Sequence, residues 1–142
     1  NRIGALPNST DGREAKRRLI RDELAPMYHP AVDMFGVVGK ERVLAAVCDF
    51  FVTAYPDALR FVSVVNGNAP ALDEDEALYR DVNGRESDTA LTFSYAMYWT
   101  TAGQHWVRHS NETIEFERVG EAWLARRFAY VHRGEATAVS SV

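Results

Sequence analysis

The sequence predicts an α+β domain in which a curved antiparallel β-sheet wraps around helices from the N-terminal part of the chain. Two observations predict it. Apolar residues recur at helical spacing before residue 56, whereas the chain after residue 89 alternates between large and small residues with the period of two that strands show. Helices followed by a run of strands are typical of this class. Sheet and helices together enclose a cone with an open end, and binding sites favour such mouths.

The first predicted helix begins at Asp11, whose spacing from Glu14 matches a capping box, and it runs to about Leu24. The basic run Lys16–Arg18 lies on this helix among acidic residues, which predicts a solvated helix face. The segment that follows, MYHPAVD, is predicted to be extended, because the residue before a proline avoids helical geometry.

The second predicted helix begins after Gly39 and ends before Pro56. Its apolar residues recur at helical spacing: Val43, Leu44, Val47, Phe50, Phe51 and Ala54. Cys48 lies within this helix and is the only cysteine, so no internal disulfide is expected. We interpret Cys48 as a buried, unreactive thiol.

The remaining chain is predicted to be strands and turns. A β-rich run, Leu59–Val65, precedes the polar segment Asn66–Ser87, which is either a solvated loop or a lid over a pocket, with a short helix at Asp73–Tyr79. Three long strands follow, ALTFSYAMYW, HWVRHSNETIEFERV and WLARRFAYVHR, joined by turns at TAGQ and VGEA. The sequence thus divides into a loose arm (1–10), one domain (11–133) and a frayed tail (134–142).

Composition excludes several function classes. The net charge is −4 over 142 residues, so the chain lacks the clustered basic surface that nucleic-acid binding requires. No apolar run approaches the ~20 residues that a membrane-spanning helix needs. We therefore expect a cytoplasmic protein without a nucleic-acid or membrane partner. His105, His109 and His132 match no zinc spacing, and no metal site or cofactor is expected.

One face of the middle long strand is apolar but carries charged residues at its centre. This face holds Trp106, Arg108, Ser110, Glu112, Ile114 and Phe116. The matching face of the last strand holds Leu124, Arg126, Phe128, Tyr130 and His132. We expect both faces to line the core, with Glu112 meeting Arg126 across the strands, and a β-bulge would reverse the facing locally. Buried charges of this kind suggest a wet or ligand-filled hollow.

Three motifs carry a resemblance to a known superfamily. They are YHP with His29 and Pro30, the glycine-led helix GVVGKERVLAAVCDFF, and the hairpin NETIEFERVGEAW. The hairpin supplies Glu112, Thr113, Phe116, Arg118, Gly120 and Trp123 to an E-T-x-x-[FW]-x-R-x-G-x-x-W pattern. In these motifs the chain resembles the nuclear transport factor 2-like, or SnoaL-like, superfamily, whose fold is a cystatin-like cone or half-barrel. The hairpin is most similar to the association-domain branch of calcium/calmodulin-dependent kinase II.

The resemblance to the ketosteroid isomerase branch implies roles for individual residues. His29 holds the place of a general base that is an Asp in that branch, Glu112 that of a protonated oxyanion-hole acid, and Arg126 and Tyr130 those of pocket residues. The chain departs from the branch in having a histidine as the base, a shortened first helix, and the charge of Arg126 in an otherwise apolar slot. A true ketosteroid isomerase is therefore not expected.

Two functions follow from these residues. In the first, the cone binds a small, mostly apolar molecule and supports cofactor-free isomerase or lyase chemistry of the dehydratase or cyclase type. The expected catalytic residues are His29, Glu112 and Arg126, and the expected pocket residues are Tyr28, Asp33, Tyr95, Trp99, Trp106, Arg108 and Tyr130. In the second, the chain is a non-catalytic ligand-binding or oligomerisation module. A homodimer through the outer sheet face is expected in either case.

Three of these residues have alternative roles. His29 is either a base or an imidazole tied to a backbone carbonyl. Asp33 either orients the His29 ring or solvates the following loop. Glu112 either keeps its proton among apolar neighbours or forms an ion pair with Arg126.

Overall fold

A computed structural model describes residues 1–64 and 90–139, so the predicted loop or lid at Asn66–Ser87 lies outside the described residues. The predicted α+β class is confirmed: two helices are followed by a large, curved, unclosed sheet. Within the described residues the elements are α1 (Thr10–Leu19), β1 (Tyr28–Met34), β2 (Val37–Val38), α2 (Lys40–Asp49), β3 (Arg60–Val64), β4 (Ala90–Thr101), β5 (Gln104–Val119), β6 (Ala122–Arg133) and β7 (Thr137–Val139).

The sheet is mixed rather than purely antiparallel. Its strands lie in the order β2-β1-β6-β5-β4-β3, and β7 pairs with β5. All of these pairs are antiparallel except β1 with β6, which is parallel. Helix α2 and the strands β2 to β5 lie between β1 and β6 in the sequence. A connection of this length allows the two strands to pair in parallel.

Helix α1 begins two residues earlier than the capping box predicts. The side chain of Ser9 accepts a hydrogen bond from the Gly12 amide at 3.0 Å, so Ser9 and not Asp11 is the N-cap. After Leu19 the helix continues as a wider turn at Ile20–Leu24 and a tighter turn at Ala25–Met27. This change of pitch directs the chain from the helix into β1.

Lys16 is fully buried, so the prediction of a solvated face for the basic run is wrong at this residue. Its Nζ donates hydrogen bonds to the carbonyl oxygens of Phe51 at 2.9 Å and Pro56 at 2.8 Å. The Phe51 carbonyl lies in a wider helical turn at Phe50–Ala54 that continues α2, and Pro56 follows that turn. Carbonyls at the end of a helix lack partners within the helix, so a cation is favourable there. Burial lowers the pKa of Lys16, and nearby Asp57 opposes that shift. Lys16 therefore ties α1 to the end of α2.

The two chain ends differ from the predicted loose arm and frayed tail. Ile3 is buried, and the Asn1 side chain exchanges hydrogen bonds with the backbone of Phe61 at 2.7 and 2.9 Å. A side chain at Gly4 would collide with the Leu59 carbonyl, so the arm packs closely against the start of β3. At the other end, residues 137–139 form β7. The arm is held by the Asn1 side chain and the buried Ile3, and residues 137–139 are held by strand pairing with β5; composition alone indicates neither.

The core lies between the helices and one face of the sheet, which we call the inner face. It has two clusters of buried residues. One cluster contains Ile3, Ile20, Tyr28, Val32, Val43, Val47, Ile114 and Ala125, and the other contains Leu59, Tyr95, Met97 and Trp99. On β5, Ser110, Glu112 and Ile114 are 3%, 8% and 6% exposed, which confirms the predicted core face of this strand.

Two irregularities in β6 alter the face predicted for that strand. Val131 and Arg126 have no partner on β5, because the register skips one residue at each position. Between these two points Phe128 pairs with Ile114 and Tyr130 with Glu112, as predicted. Beyond them the facing reverses. His132 pairs with Asn111 and Leu124 with Glu117, and Ala125 takes the place in the core that was expected for Leu124 or Arg126.

Candidate functional site

Glu112 is at the centre of a group of polar side chains on the inner face, which we call the Glu112 cluster (Glu112, Tyr95, Tyr130 and Tyr28); all of them are buried except Tyr130, which is exposed at the edge of the group. The Tyr95 hydroxyl donates a hydrogen bond to Glu112 Oε2 at 2.9 Å. Burial raises the pKa of Glu112 from 4.5 to about 7, although the hydrogen bond from Tyr95 opposes the shift. The Glu112 carboxyl therefore gains or loses its proton near neutral pH, and burial is the cause.

Tyr28 and Tyr95 of this cluster stay protonated. Burial raises the pKa of Tyr28 to about 12, and the Glu112 charge adds to that effect. Burial also raises the pKa of Tyr95, and the Glu112 charge and the Tyr130 hydroxyl act in the same direction. Each tyrosine is thus a hydrogen-bond donor at any ordinary pH. The alternative in which Glu112 keeps its proton among apolar neighbours fits this arrangement.

The expected ion pair between Glu112 and Arg126 is wrong. Arg126 occupies one of the two unpaired positions of β6, and its Nη1 donates to the Ala31 carbonyl at 2.5 Å. Its Nε lies 3.5 Å from Oε2 of Glu117 instead. Within the described residues Glu112 forms no ion pair. The extra residue in β6 redirects the guanidinium away from the inner face, and sequence alternation cannot anticipate it.

His29 contacts Glu117 and is separated from Glu112. Its Nε2 lies 3.1 Å from Glu117 Oε2, and its Nδ1 accepts a hydrogen bond from the Ala31 amide at 2.9 Å. Tyr28 is a core residue, and neighbouring residues of a strand point to opposite faces, so His29 faces away from the core. We call His29, Glu117 and Arg126 the Glu117 cluster. The expected meeting of carboxylate, guanidinium and imidazole occurs there, around a different glutamate.

Both ring nitrogens of His29 are engaged. Because Nδ1 accepts from a backbone N–H, the neutral ring carries its proton on Nε2 and donates it to Glu117. The ring therefore has no free lone pair with which to abstract a proton from a ligand. In this arrangement His29 stabilises the backbone at the start of β1 through its bond to the Ala31 amide.

Arg108 lies among aromatic rings on the inner face of β5. Its guanidinium carbon is 5.4 Å from the centre of the Trp99 ring, and its Nη1 donates a long hydrogen bond of 3.3 Å to the Tyr55 hydroxyl. Trp106 stacks against Trp99 with 6.5 Å between ring centres. The Arg108 Nε is buried, and no described residue accepts a hydrogen bond from it. We call these four residues the Arg108 cluster.

Phe35 and Asp33 shape the rim of the inner face. Phe35 and Gly36 form the two-residue turn between β1 and β2, both with positive φ angles, and Asp33 Oδ1 accepts from the Gly36 amide at 2.9 Å. Asp33 therefore stabilises the turn and does not orient His29. The Phe35 ring stacks on Tyr130 with 4.2 Å between centres, and this contact offsets the strain of a phenylalanine with φ 51°.

A cavity of 410 Å³ lies beside the end of β6. It is lined by Ser94, Tyr95, His109, Ser110, Asn111, His132, Gly134 and Glu135. Of the residues predicted to line a pocket, only Tyr95 contacts this cavity. In the parts of the chain that the structure describes, no group of three or more histidine, cysteine or acidic side chains is arranged to hold a metal ion. Nor is any helix there both long and apolar enough to cross a membrane.

The chain has structural neighbours among solved proteins but no match among families or curated sequences. No family model matches the sequence, and no curated protein sequence matches it. The chain is similar to a solved structure from Xanthomonas campestris that is described as a calcium/calmodulin-dependent protein kinase II association domain. The two are 15% identical over 97% of this chain and 94% of that chain, with a TM-score of 0.46. At this similarity no residue role transfers, so the proposals below depend on the contacts of this chain.

Sequence reasoning missed three residues that lie in these clusters or contact them. Glu117 lies on the face of β5 that the alternation assigns to solvent, and only the skipped register of β6 brings Arg126 to it. Tyr55 is the last residue before Pro56, at the end of the predicted second helix, and nothing in the sequence indicates that it lies near Arg108. Phe35 precedes a glycine in a short gap between two apolar runs, and this turn signal could have been used.

Proposed function

We propose that the inner face of the sheet binds a small, largely apolar organic molecule and that the Glu112 cluster holds its polar group. The observation that best supports this proposal is the Glu112 carboxyl itself. It is 8% exposed, it accepts a hydrogen bond from Tyr95, and within the described residues it has no cationic partner. A buried ionisable group without a charged partner destabilises the fold, and such groups concentrate at functional sites.

The chemistry of the cluster defines the polar group that it would bind. A protonated Glu112 can donate a hydrogen bond to a carbonyl or hydroxyl oxygen, and an ionised Glu112 can accept one from a hydroxyl. The Tyr28, Phe35 and Phe128 rings, which contact one another or Tyr130, provide apolar surface beside it. A ketone, alcohol or phenol on an apolar body fits these groups, and no cofactor enters the proposal.

Binding is proposed here rather than an isomerase or lyase reaction. Such reactions need a second group that moves a proton within reach of the acid. His29 faces the other side of the sheet with both nitrogens bonded, and Arg126 contacts Glu117. Neither His29 nor Arg126 is therefore a catalytic partner of Glu112. The role that we keep for Glu112 is ligand recognition.

The binding of 2-naphthol, followed by quenching of tryptophan fluorescence, tests the proposal. Wild type should bind 2-naphthol saturably and more tightly than naphthalene, which lacks the hydroxyl. Glu112→Leu should weaken 2-naphthol binding about tenfold, because a hydrogen bond to an ionisable group contributes on the order of 1.5 kcal/mol. It should leave naphthalene binding nearly unchanged.

Glu117→Leu is the matched control, since it removes the same side chain from the same strand outside the proposed site. It should bind both compounds as wild type does. Equal weakening by the two substitutions, or no saturable binding of either compound to wild type, would reject the proposed site.

A second proposed function is assembly through the outer sheet face, opposite the helices. On β4 and β5 this face carries short polar side chains that bond to each other: Asn111 Nδ2 donates to Ser94 Oγ at 2.5 Å, and Thr92 and Thr113 hydroxyls are 2.9 Å apart. A surface of short, mutually bonded side chains is suited to packing against a second copy of itself. Sedimentation equilibrium should give a homodimer, and Thr113→Arg should convert it to a monomer that still binds 2-naphthol.

A further inference from the structure

Arg108 differs from Lys16 and Arg126, the other two cations that the described part of the chain holds in its interior or at its edge. Lys16 donates to two backbone carbonyls, and Arg126 has both a carbonyl and the Glu117 carboxylate. On the surface, Arg2, Arg17 and Arg127 each pair with a glutamate. Arg108 lies on the core face of β5, and no carboxylate among the described residues neutralises it. Among residues 1–64 and 90–139, its charge therefore has no anionic partner.

The guanidinium also has unused hydrogen-bonding capacity. Its Nη1 donates at 3.3 Å, which is long for such a bond, and its buried Nε has no acceptor. A buried donor without a partner destabilises the fold, and a folded chain rarely tolerates this without a functional reason. An oxyanion is the group that supplies the missing acceptors, because a guanidinium presents a planar fork of donors that matches a carboxylate.

The neighbours of Arg108 restrict which oxyanion fits. The Trp99 ring covers one face of the guanidinium, Trp106 stacks on Trp99, and the Tyr55 ring packs edge-on to Trp99 at 5.1 Å. These aromatic rings favour a flat apolar body next to the anionic group rather than a hydrated inorganic ion. Ser110, which is 3% exposed, separates Arg108 from Glu112 on the same face.

We propose that Arg108 is an anion-binding residue and that the ligand of the inner face is an amphipathic organic acid. Its carboxylate binds Arg108, its flat body contacts Trp99 and Tyr55, and a hydroxyl or carbonyl at its other end reaches Glu112. Four residues along a strand span about 13 Å between Cα atoms, and long side chains that lean toward each other shorten this distance. A two-ring aromatic acid fits that span. This assignment rests on the proposed function and specifies the ligand class for the same site.

Matched probes separate the two proposals. Binding of 2-naphthoate, its neutral amide 2-naphthamide, and inorganic phosphate would be measured by calorimetry and tryptophan fluorescence. Wild type should bind the carboxylate about tenfold more tightly than the amide, which is the effect of a charge-assisted over a neutral hydrogen bond, and phosphate weakly. Arg108→Met should abolish the preference for the carboxylate while leaving amide binding nearly unchanged, and Arg108→Lys should restore part of it.

Arg118→Met is the control variant. Arg118 is also on β5 and also lies over a tryptophan, with its guanidinium carbon 5.9 Å from the Trp123 ring centre, but Trp123 is exposed. This variant should keep the wild-type preference for the carboxylate. A preference that survives in Arg108→Met, or equal binding of carboxylate and amide by wild type, would overturn the role of Arg108 and leave the proposed binding function intact. Failure of all naphthyl probes to bind would overturn both.

Thermal melting of the unliganded variants gives a second readout. An arginine retained for a ligand, without a carboxylate partner in the empty protein, destabilises the fold, so Arg108→Met should melt at the same temperature as wild type or higher. A purely structural arginine would behave oppositely. A decrease of several degrees in Arg108→Met, with no such decrease in Arg118→Met, would overturn the proposal.

Discussion

Glu112 and Glu117 lie on the same strand, five residues apart, yet their surroundings differ in every respect. Glu112 is buried on the inner face, its carboxylate accepts a hydrogen bond from Tyr95, and its pKa is raised to about 7. The Glu117 side chain is 53% exposed and contacts His29 and Arg126. Among the described residues, the half-exposed carboxylate thus has an arginine and an imidazole beside it, whereas the buried one has neither. We interpret the isolation of Glu112 as a cost retained for binding.

The largest expected effect concerns the pH dependence of stability. The pKa of Glu112 is higher in the folded than in the unfolded chain, so the folded chain holds the proton more tightly. The stabilisation of the fold by the protonated Glu112 is fully present below pH 4.5 and is lost as the pH rises to about 7. Over that window the free energy of unfolding of wild type should fall by about 3 kcal/mol relative to Glu112→Gln, as measured by urea denaturation.

The matched variant Glu117→Gln should follow the wild-type pH dependence through the same window, because its carboxylate is half exposed. Parallel curves for wild type and Glu112→Gln would contradict the assignment of a raised pKa to Glu112 and would remove the contrast between the two glutamates.

A medium effect is expected for Tyr95→Phe, which removes the donor that partly satisfies Glu112. The variant should lose about 1–2 kcal/mol at pH 8, where the acceptor is charged, and less at pH 5, where it is neutral. Urea denaturation at the two pH values measures this. Tyr98→Phe is the control, because Tyr98 lies under Arg60 and away from Glu112. A loss that is equal at both pH values would mean that Glu112 does not change charge between them.

A smaller effect is expected for Glu117→Gln at neutral pH. Half-exposed ion pairs contribute between 0 and about 1 kcal/mol, and salt screens them. The variant should therefore lose less than about 1 kcal/mol in low salt and still less in 1 M salt. A loss greater than that of Tyr95→Phe would show that the Glu117 cluster, and not the Glu112 cluster, is the more critical of the two.

The smallest effect is spectroscopic and concerns His29. Nitrogen-15 NMR of the imidazole should show the tautomer with the proton on Nε2, because Nδ1 accepts from the Ala31 amide. Glu117→Gln should leave that tautomer unchanged, since the backbone bond selects it. The opposite tautomer would free Nδ1 from its acceptor role and return His29 to consideration as a base.

The sequence by itself determined the element types, the order of helices and strands, and the inner face of β5. These features follow from local periodicity: helices repeat with 3.6 residues and strands with two, and both patterns are visible without knowledge of partners. The burial of Ser110, Glu112 and Ile114 agrees with this reasoning. Part of the candidate site follows too, because Glu112, Tyr95 and Tyr130 could be assigned to one face from alternation alone.

The contacts between charged groups depend on tertiary packing and could not be predicted from the sequence. The skipped registers at Arg126 and Val131 depend on how β6 pairs with β5, and each skip moves the following residues to the other face. Lys16 can be buried because carbonyl oxygens 35 and 40 residues away accept hydrogen bonds from it. Arg126 donates a hydrogen bond to a carbonyl 95 residues away. Partners at such separations leave no trace in local periodicity, since they are created by packing and not by spacing along the chain.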